Sequence, residues 1–182
     1  MRSIIFSFSG MLCCFLVLLL TAMTCDEEEL LPPVLADVVG VRLVSLDNSG
    51  HVPEPVTDDR CPKEAYMMKV VPDVKAVTEE TSEAAWRYRL NRPITAIRIV
   101  TLTDFNEEYP AGSDIYPLFY SSYSPVPIDF PIDYLHDFEL VLLTYPKAGT
   151  YRFRVELEVG KGEDGENGTQ VFTAETPSLD FY

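Results

Sequence analysis

The nine residues YRFRVELEV, at 151–159, constrain this chain more than any other stretch. Tyr151, Phe153, Val155, Leu157 and Val159 alternate without a break with Arg152, Arg154, Glu156 and Glu158. Successive side chains of an extended strand point to opposite faces, so a period of two gives one apolar face and one charged face. A helix would scatter the same residues around its circumference. GKGEDGENG follows, too polar and glycine-rich for either element, and then TQVFTAET, so the two runs and their loop predict a hairpin. SLDFY alternates again, at Leu179 and Phe181.

The same pattern recurs upstream. Val39, Val41 and Leu43 alternate in VVGVRLVSL, which ends in the turn residues Asp47, Asn48, Ser49 and Gly50. Tyr66, Met68 and Val70 alternate in AYMMKVV, and Trp86, Tyr88 and Leu90 in WRYRL. ITAIRIVTLTDF changes phase between Ile99 and Val100, which implies a bulge or a central strand covered on both faces. FELVLLTY is apolar nearly throughout, as a buried strand would be. Glu79 to Ala85 has room for one helical turn, and no repeat at a solenoid period is present. About seven or eight strands separated by regular turns predict an all-β chain, an antiparallel immunoglobulin-like β-sandwich with a small β-barrel as the alternative. KAGTYRFRVEL sharpens this. A turn, a tyrosine and an alternating strand resemble the penultimate strand of immunoglobulin-like and fibronectin-like domains, whose tyrosine bonds back to the preceding corner. Tyr151 would be that residue.

The amino terminus has a different logic. Arg2 is followed by an uncharged, apolar run from Ile4 to Met23. This is the layout of a secretory signal, and it is also close to the roughly 20 residues that span a bilayer. Ala22–Met23–Thr24–Cys25 resembles the box that ends bacterial lipoprotein signals, in which the cysteine thiol accepts a diacylglyceryl group. It departs from that pattern at Ala22, where Leu is usual, and at Thr24, where Gly or Ala is usual. The expected organisation is a lipoprotein signal over residues 1–24, an acidic tether over 25–33 and one β-sandwich domain over 34–182. Cys25 is then the lipid attachment site. An uncleaved anchor and simple secretion are the alternatives. CDEEE resembles the acidic signal found after the lipidated cysteine of surface-exposed lipoproteins in Bacteroidetes, and reads equally as a self-repelling solvated tether. These resemblances imply export and a lipid anchor in the bacterial outer membrane, exposed at the cell surface. At about 0.8 kcal/mol per buried CH₂, two or three acyl chains hold firmly where one is marginal.

Removing residues 1–24 takes away one arginine and no acid, leaving 13 basic residues against 29 acidic ones. Such an excess argues against nucleic acid, whose binders carry a basic stripe, and against docking on anionic lipid headgroups. Cys13 and Cys14 fall in the signal, so acylation of Cys25 leaves Cys61 as the one remaining thiol and excludes an intramolecular disulfide. Cys61 lies in DDRCPKE, read as a polar loop without a histidine at hand, and is expected to be inert. His51 and His136 show no ligand spacing, and no phosphate-binding glycine loop occurs, so neither metal nor cofactor is expected. His136 is expected to be a satisfied structural histidine. Asp58–Asp59, Glu79–Glu80 and Glu107–Glu108 are carboxylate pairs of the kind that glycosidases use, but chance supplies them in so acidic a chain. EDGENG, with Glu163, Asp164, Glu166 and Asn167, resembles a calcium loop faintly and lacks its order. No catalytic residue is expected.

One segment stands apart. IYPLFYSSYSPVPIDFPIDY holds Tyr116, Phe119, Tyr120, Tyr123, Phe130 and Tyr134 among Pro117, Pro125, Pro127 and Pro131. So much proline excludes a helix and a central strand, which leaves a long, stiff loop. Its rings either plug one end of the sandwich or form a contact surface, with Tyr116, Tyr120 and Tyr123 as ligand contacts. Together with the lipoprotein-type signal, DNSG, KEAYMMKV, AGTYRFRVEL and FTAET resemble a family of Bacteroides lipoproteins of about this length, known as a domain of unknown function. The resemblance implies an exported bacterial β-protein and no particular activity. The expected function is a non-catalytic, surface-anchored binding or structural module for a glycan or an envelope protein. A subunit of a larger assembly and a carboxylate-based hydrolase are the alternatives.

Overall fold

Alternation in the sequence becomes alternation in burial. The computed structural model describes residues 33–77, 88–123, 128–161 and 168–182. The signal and Cys25, the segment Glu79 to Ala85 with Trp86, Pro125 and Pro127, and Glu163 to Asn167 of the EDGENG loop lie outside the described residues.

The strands are β1 (Val34–Asp47), β2 (Glu54–Pro55), β3 (Arg60–Cys61), β4 (Tyr66–Ala76) and β5 (Tyr88–Thr101). A 3-10 turn (Tyr116–Leu118) leads into β6 (Phe119–Ser121), followed by β7 (Ile132–Tyr134) and β8 (Phe138–Leu142). β9 (Gly149–Tyr151), β10 (Phe153–Val159), β11 (Gln170–Glu175) and β12 (Leu179–Phe181) complete the chain. Tyr151, Phe153, Val155, Leu157 and Val159 are all buried, whereas the charged residues between them are exposed or half-buried. Arg152 breaks the run into two strands. β9 pairs with β12, and β10 pairs with β5 and β11. The β10–β11 pair is the expected hairpin.

The pairing order is β11-β10-β5 on one side and β1-β4-β8-β6 on the other. In chain order this is the arrangement of an immunoglobulin-type sandwich, in which the first, second, fifth and fourth strands form one layer and the third, sixth and seventh the other. Rings from the two layers meet in the middle. Tyr66 on β4 lies 5.6 Å from Phe153 on β10 and 5.0 Å from Phe181, centroid to centroid. The order is open at β11 and β6, so no barrel closes.

Tyr151 is the corner tyrosine. Its hydroxyl donates to the Lys147 carbonyl at 2.9 Å, closing the turn between the layers. Gly160 permits another close approach, because a Cβ there would stand 2.8 Å from Thr95 Cγ2.

Four expectations need correction. The sheet is mixed rather than purely antiparallel, because Val34–Ala36 run parallel to Tyr88–Leu90 and β3 runs parallel to β12. The first of these contacts joins the two layers. In β1 a register shift between Val38 and Gly40 turns Val39 outward, where it is 53 % exposed, while Val38 and Val41 are buried. A bulge adds one residue and reverses the phase around it. β8 alternates instead of being buried throughout, since Glu139 and Val141 are only half-buried between Phe138, Leu140 and Leu142, and Leu143 and Tyr145 just beyond it are exposed. Finally, Cys61 is no loop residue: β3 carries it into the core. The phase change at Ile99 and Val100 is resolved as a central strand covered on both faces, with Val100 bridged to Asp114.

Candidate functional site

Asp114 fixes the start of the proline-rich segment. Its carboxylate accepts the Tyr116 N–H at 3.0 Å and pairs with Arg98 at 3.4 Å, while the Ile115 N–H donates to Ile99 O at 2.7 Å. Ile115 is thereby buried against β5 and the chain leaves it through the 3-10 turn, with Pro117 in the first turn. Proline there sacrifices an N–H that the start of a helix leaves unpaired anyway. Phe119 then turns inward, packing edge-on to Tyr66 and Phe153, both at 6.5 Å. Phe119 and Tyr120 thus sit on an edge strand, β6, rather than on a loop. Pro117 is compatible with this because edge positions tolerate a missing donor.

Tyr116 and Tyr120 wall a hollow of about 180 Å³, with Pro117, Phe119, Ser121 and Ile128 as the remaining lining. Both tyrosines are half-buried. Burial, and then the negative charge of Asp114, pushes the Tyr116 hydroxyl above its ordinary range, so it stays protonated and able to donate. Tyr123 is not part of the hollow. It is 77 % exposed, and its hydroxyl is pushed up by hydrogen bonding to the Glu139 carboxylate. Glu139 in turn accepts from Ser122 at 3.3 Å and lies 3.7 Å from Lys69, which pairs more closely with Asp137 at 2.9 Å. Of the three tyrosines singled out in the sequence, the structure brings two together. The segment also plugs the sandwich in part, since Ile115, Phe119 and Ile132 are core residues.

The remaining candidates separate clearly. Cys61 is buried and its thiol is pushed up to about 12, by burial first and Asp47 second, which leaves almost no thiolate at neutral pH. His136 lies between two rings, 5.0 Å from Tyr134 and 4.3 Å from Phe138. It is structural, but its buried Nδ1 has no hydrogen-bond partner among the described residues. Burial lowers its pKa against the opposing pull of Asp137. Asp58–Asp59 and Glu107–Glu108 are exposed turn residues, the former pair with positive φ of 59° and 53°. Among the described residues no three His, Cys, Asp or Glu side chains come together in a way that could hold a metal ion.

Sequence reasoning missed a second, larger hollow of about 320 Å³ between the turn after β1 and Arg60, lined by Asp47, Ser49, His51, Glu54 and Thr57 among others. Two of its charged groups already have partners. Asp47 accepts the Ser49 N–H at 2.8 Å, and Arg60 pairs with Asp180 at 3.3 Å and lies over the Tyr182 ring. The turn DNSGHVPEP is its signal in the sequence, but a turn does not reveal whether it encloses space.

An all-β sandwich with a tyrosine-walled hollow at one sheet edge is therefore the class that fold and site define. Residues 38–170 match the domain of unknown function DUF5034, and the chain belongs to that family. No curated protein and no solved structure gives a match.

Proposed function

We propose that the chain is a non-catalytic binding module of the bacterial cell surface, tethered to the outer membrane by an acylated Cys25, which takes a glycan or an envelope protein at the hollow between Tyr116 and Tyr120. The hollow carries this reading. Each of its tyrosines combines a flat apolar face with a hydroxyl that donates or accepts, which suits the C–H faces of sugars as well as peptide groups. Pro117 and the pairing of β6 with β8 hold the rings in place, so little ordering opposes binding. The apolar run before Cys25 and the acids after it support a Bacteroides-type lipoprotein. The acidic balance of the chain speaks against nucleic acid as a partner.

Two experiments test the two halves of the proposal. Replacing Cys25 with Ala in a bacterial host should abolish acyl labelling and release the chain from the membrane or leave its signal uncleaved. A variant identical to wild type in mass, labelling and membrane association removes the anchor. For the site, a glycan array and envelope fractions are probed with wild type, Tyr116→Ala, Tyr120→Ala and Tyr123→Ala. Tyr116→Ala and Tyr120→Ala should each weaken any hit by about tenfold or more, the size of a good aromatic contact, and Tyr123→Ala much less. Hits indifferent to all three variants would place the ligand elsewhere.

A further inference from the structure

Among the described residues β6 is the last strand of its layer, and none of their strands pairs with its outer edge. Tyr120 lies opposite Val141, the Leu143 N–H donates to Leu118 O at 3.0 Å, and the Ser122 N–H donates to Glu139 O at 2.8 Å. In an antiparallel ladder, residues bonded to the neighbour alternate with residues that face away. Leu118, Tyr120 and Ser122 are the bonded set, so Phe119 and Ser121 turn their backbone groups outward. The Phe119 N–H is used by the turn, donating to Tyr116 O. The Phe119 carbonyl and the Ser121 N–H and carbonyl have no partner among the described residues. Phe119 and Ser121 also line the hollow, which places unpaired strand backbone beside an apolar depression. No charged residue guards this edge from within the strand, as natural edge strands often require.

The geometry points to strand addition: β6 pairs with an extended, basic segment of another protein, which seats one apolar side chain in the hollow. This rests on the reading of the hollow as a contact surface and names its occupant. The volume decides between a whole ligand and a side chain. About 180 Å³ lies below the roughly 300–1,000 Å³ of pockets that enclose small molecules, and suits one branched side chain. The open backbone groups decide between sugar and peptide, because a peptide supplies donors and acceptors at strand spacing while its alternate side chains give specificity. Charge decides the flanks. Asp114, Asp133 and Asp137 have cations of their own in Arg98, Arg89 and Lys69. Asp129, exposed beside Ile128, has no ion pair among the described residues. A second copy of the chain, with the same formal net charge of −15, is repelled, whereas a segment bearing Lys or Arg is attracted.

The test uses the full chain in nonionic detergent and a fluorescent, capped heptapeptide, Lys-Val-Thr-Val-Thr-Val-Lys, followed by anisotropy. A form with Glu at both ends should bind at least about tenfold more weakly. Two further forms carry N-methyl groups on the Val amides or on the Thr amides. A strand presents alternate amides to each side, so one form should lose about tenfold or more and the other should bind within about threefold of the parent. Ser121→Pro removes an outward N–H without touching the bonds to β8 and should weaken the parent peptide by about tenfold. Failure of the parent peptide to bind, equal binding of both methylated forms, or an unaffected Ser121→Pro variant that remains folded would each overturn strand addition. The methylated peptides on wild type decide the matter even if Ser121→Pro does not fold. A glycan or protein that depends on Tyr116 and Tyr120 while the heptapeptide fails would keep the hollow as a binding site and discard the added strand.

Discussion

Tyr66, Tyr151, Phe153 and Phe181 approach one another at centroid separations from 5.0 to 6.4 Å and are shut away from water. Tyr116, Tyr120, Tyr123 and Tyr134 are just as aromatic, yet none is buried, and Tyr123 and Tyr134 are 77 % and 57 % exposed. The difference lies in the backbone that carries them. Tyr151, Phe153 and Phe181 follow period-two alternation, which aims them at the opposite layer, whereas Tyr66 opens β4 beside an equally buried Met67, and alternation there begins only at Met68. The outer rings belong to a segment that Pro117 and Pro131 keep out of any long ladder, so only Phe119 and its apolar neighbours are drawn inside. Tyrosine content is therefore no guide to its role here. Strand continuity is.

The largest effect that would test this contrast is the loss of a core ring. Phe153→Ala empties the place where Tyr66, Tyr151, Phe119 and Phe181 converge and should cost about 3–5 kcal/mol, read as a denaturant midpoint. Arg154→Ala, one residue along, removes a surface pair with Glu156 at 3.1 Å and should stay within about 0.5 kcal/mol. Equal losses would refute the strand phase. A smaller effect sharpens the same comparison at the corner. Tyr151→Phe keeps the ring and deletes only the bond to Lys147 O, which should cost about 1 kcal/mol. An unchanged midpoint would mean that water replaces that bond fully. Below this, Tyr123→Ala should leave the unfolding midpoint where it is, since the ring is 77 % exposed.

How far these outcomes were legible in the sequence depends on the range of the interaction involved. The phase of Phe153, Val155 and Leu157, the hairpin to β11, the corner role of Tyr151 and the return of Leu179 and Phe181 to the core follow from residues within a few positions of one another. The outward turn of Val39 does not, because the bulge between Val38 and Gly40 is a mismatch against β4, some 30 residues away. Burial of Cys61 likewise needs β12 from the far end of the chain. In the site, Tyr116 and Tyr120 could be singled out as a pair of rings on stiffened backbone. Their separation from Tyr123, and the contribution of Ile128 to the hollow, depend on how β6 docks on β8. Proline content marked where the ladder would break and could not say which edge would be left open.

A last, small effect concerns the imidazole that lies between the two populations. His136 packs against an exposed ring, Tyr134, on one side and a buried one, Phe138, on the other, with its buried Nδ1 unpartnered among the described residues. Burial lowers its folded pKa below the ordinary value of about 6.5, outweighing Asp137 and the Tyr134 backbone. Between those two values the unfolded chain binds more protons than the folded one, so stability rises with pH across that window. The contribution is complete above about pH 6.5 and is lost as pH falls towards the lowered folded value. His136→Phe keeps an aromatic ring between Tyr134 and Phe138 and has no proton to bind. The wild-type denaturant midpoint should therefore fall more steeply than that of His136→Phe between about pH 7.5 and pH 5, with the two profiles running parallel above that range. Carboxylates titrate in both proteins and cancel in the difference. Parallel profiles throughout would mean that the imidazole reaches water in the folded state, and that His136 belongs with the exposed rings rather than at the boundary.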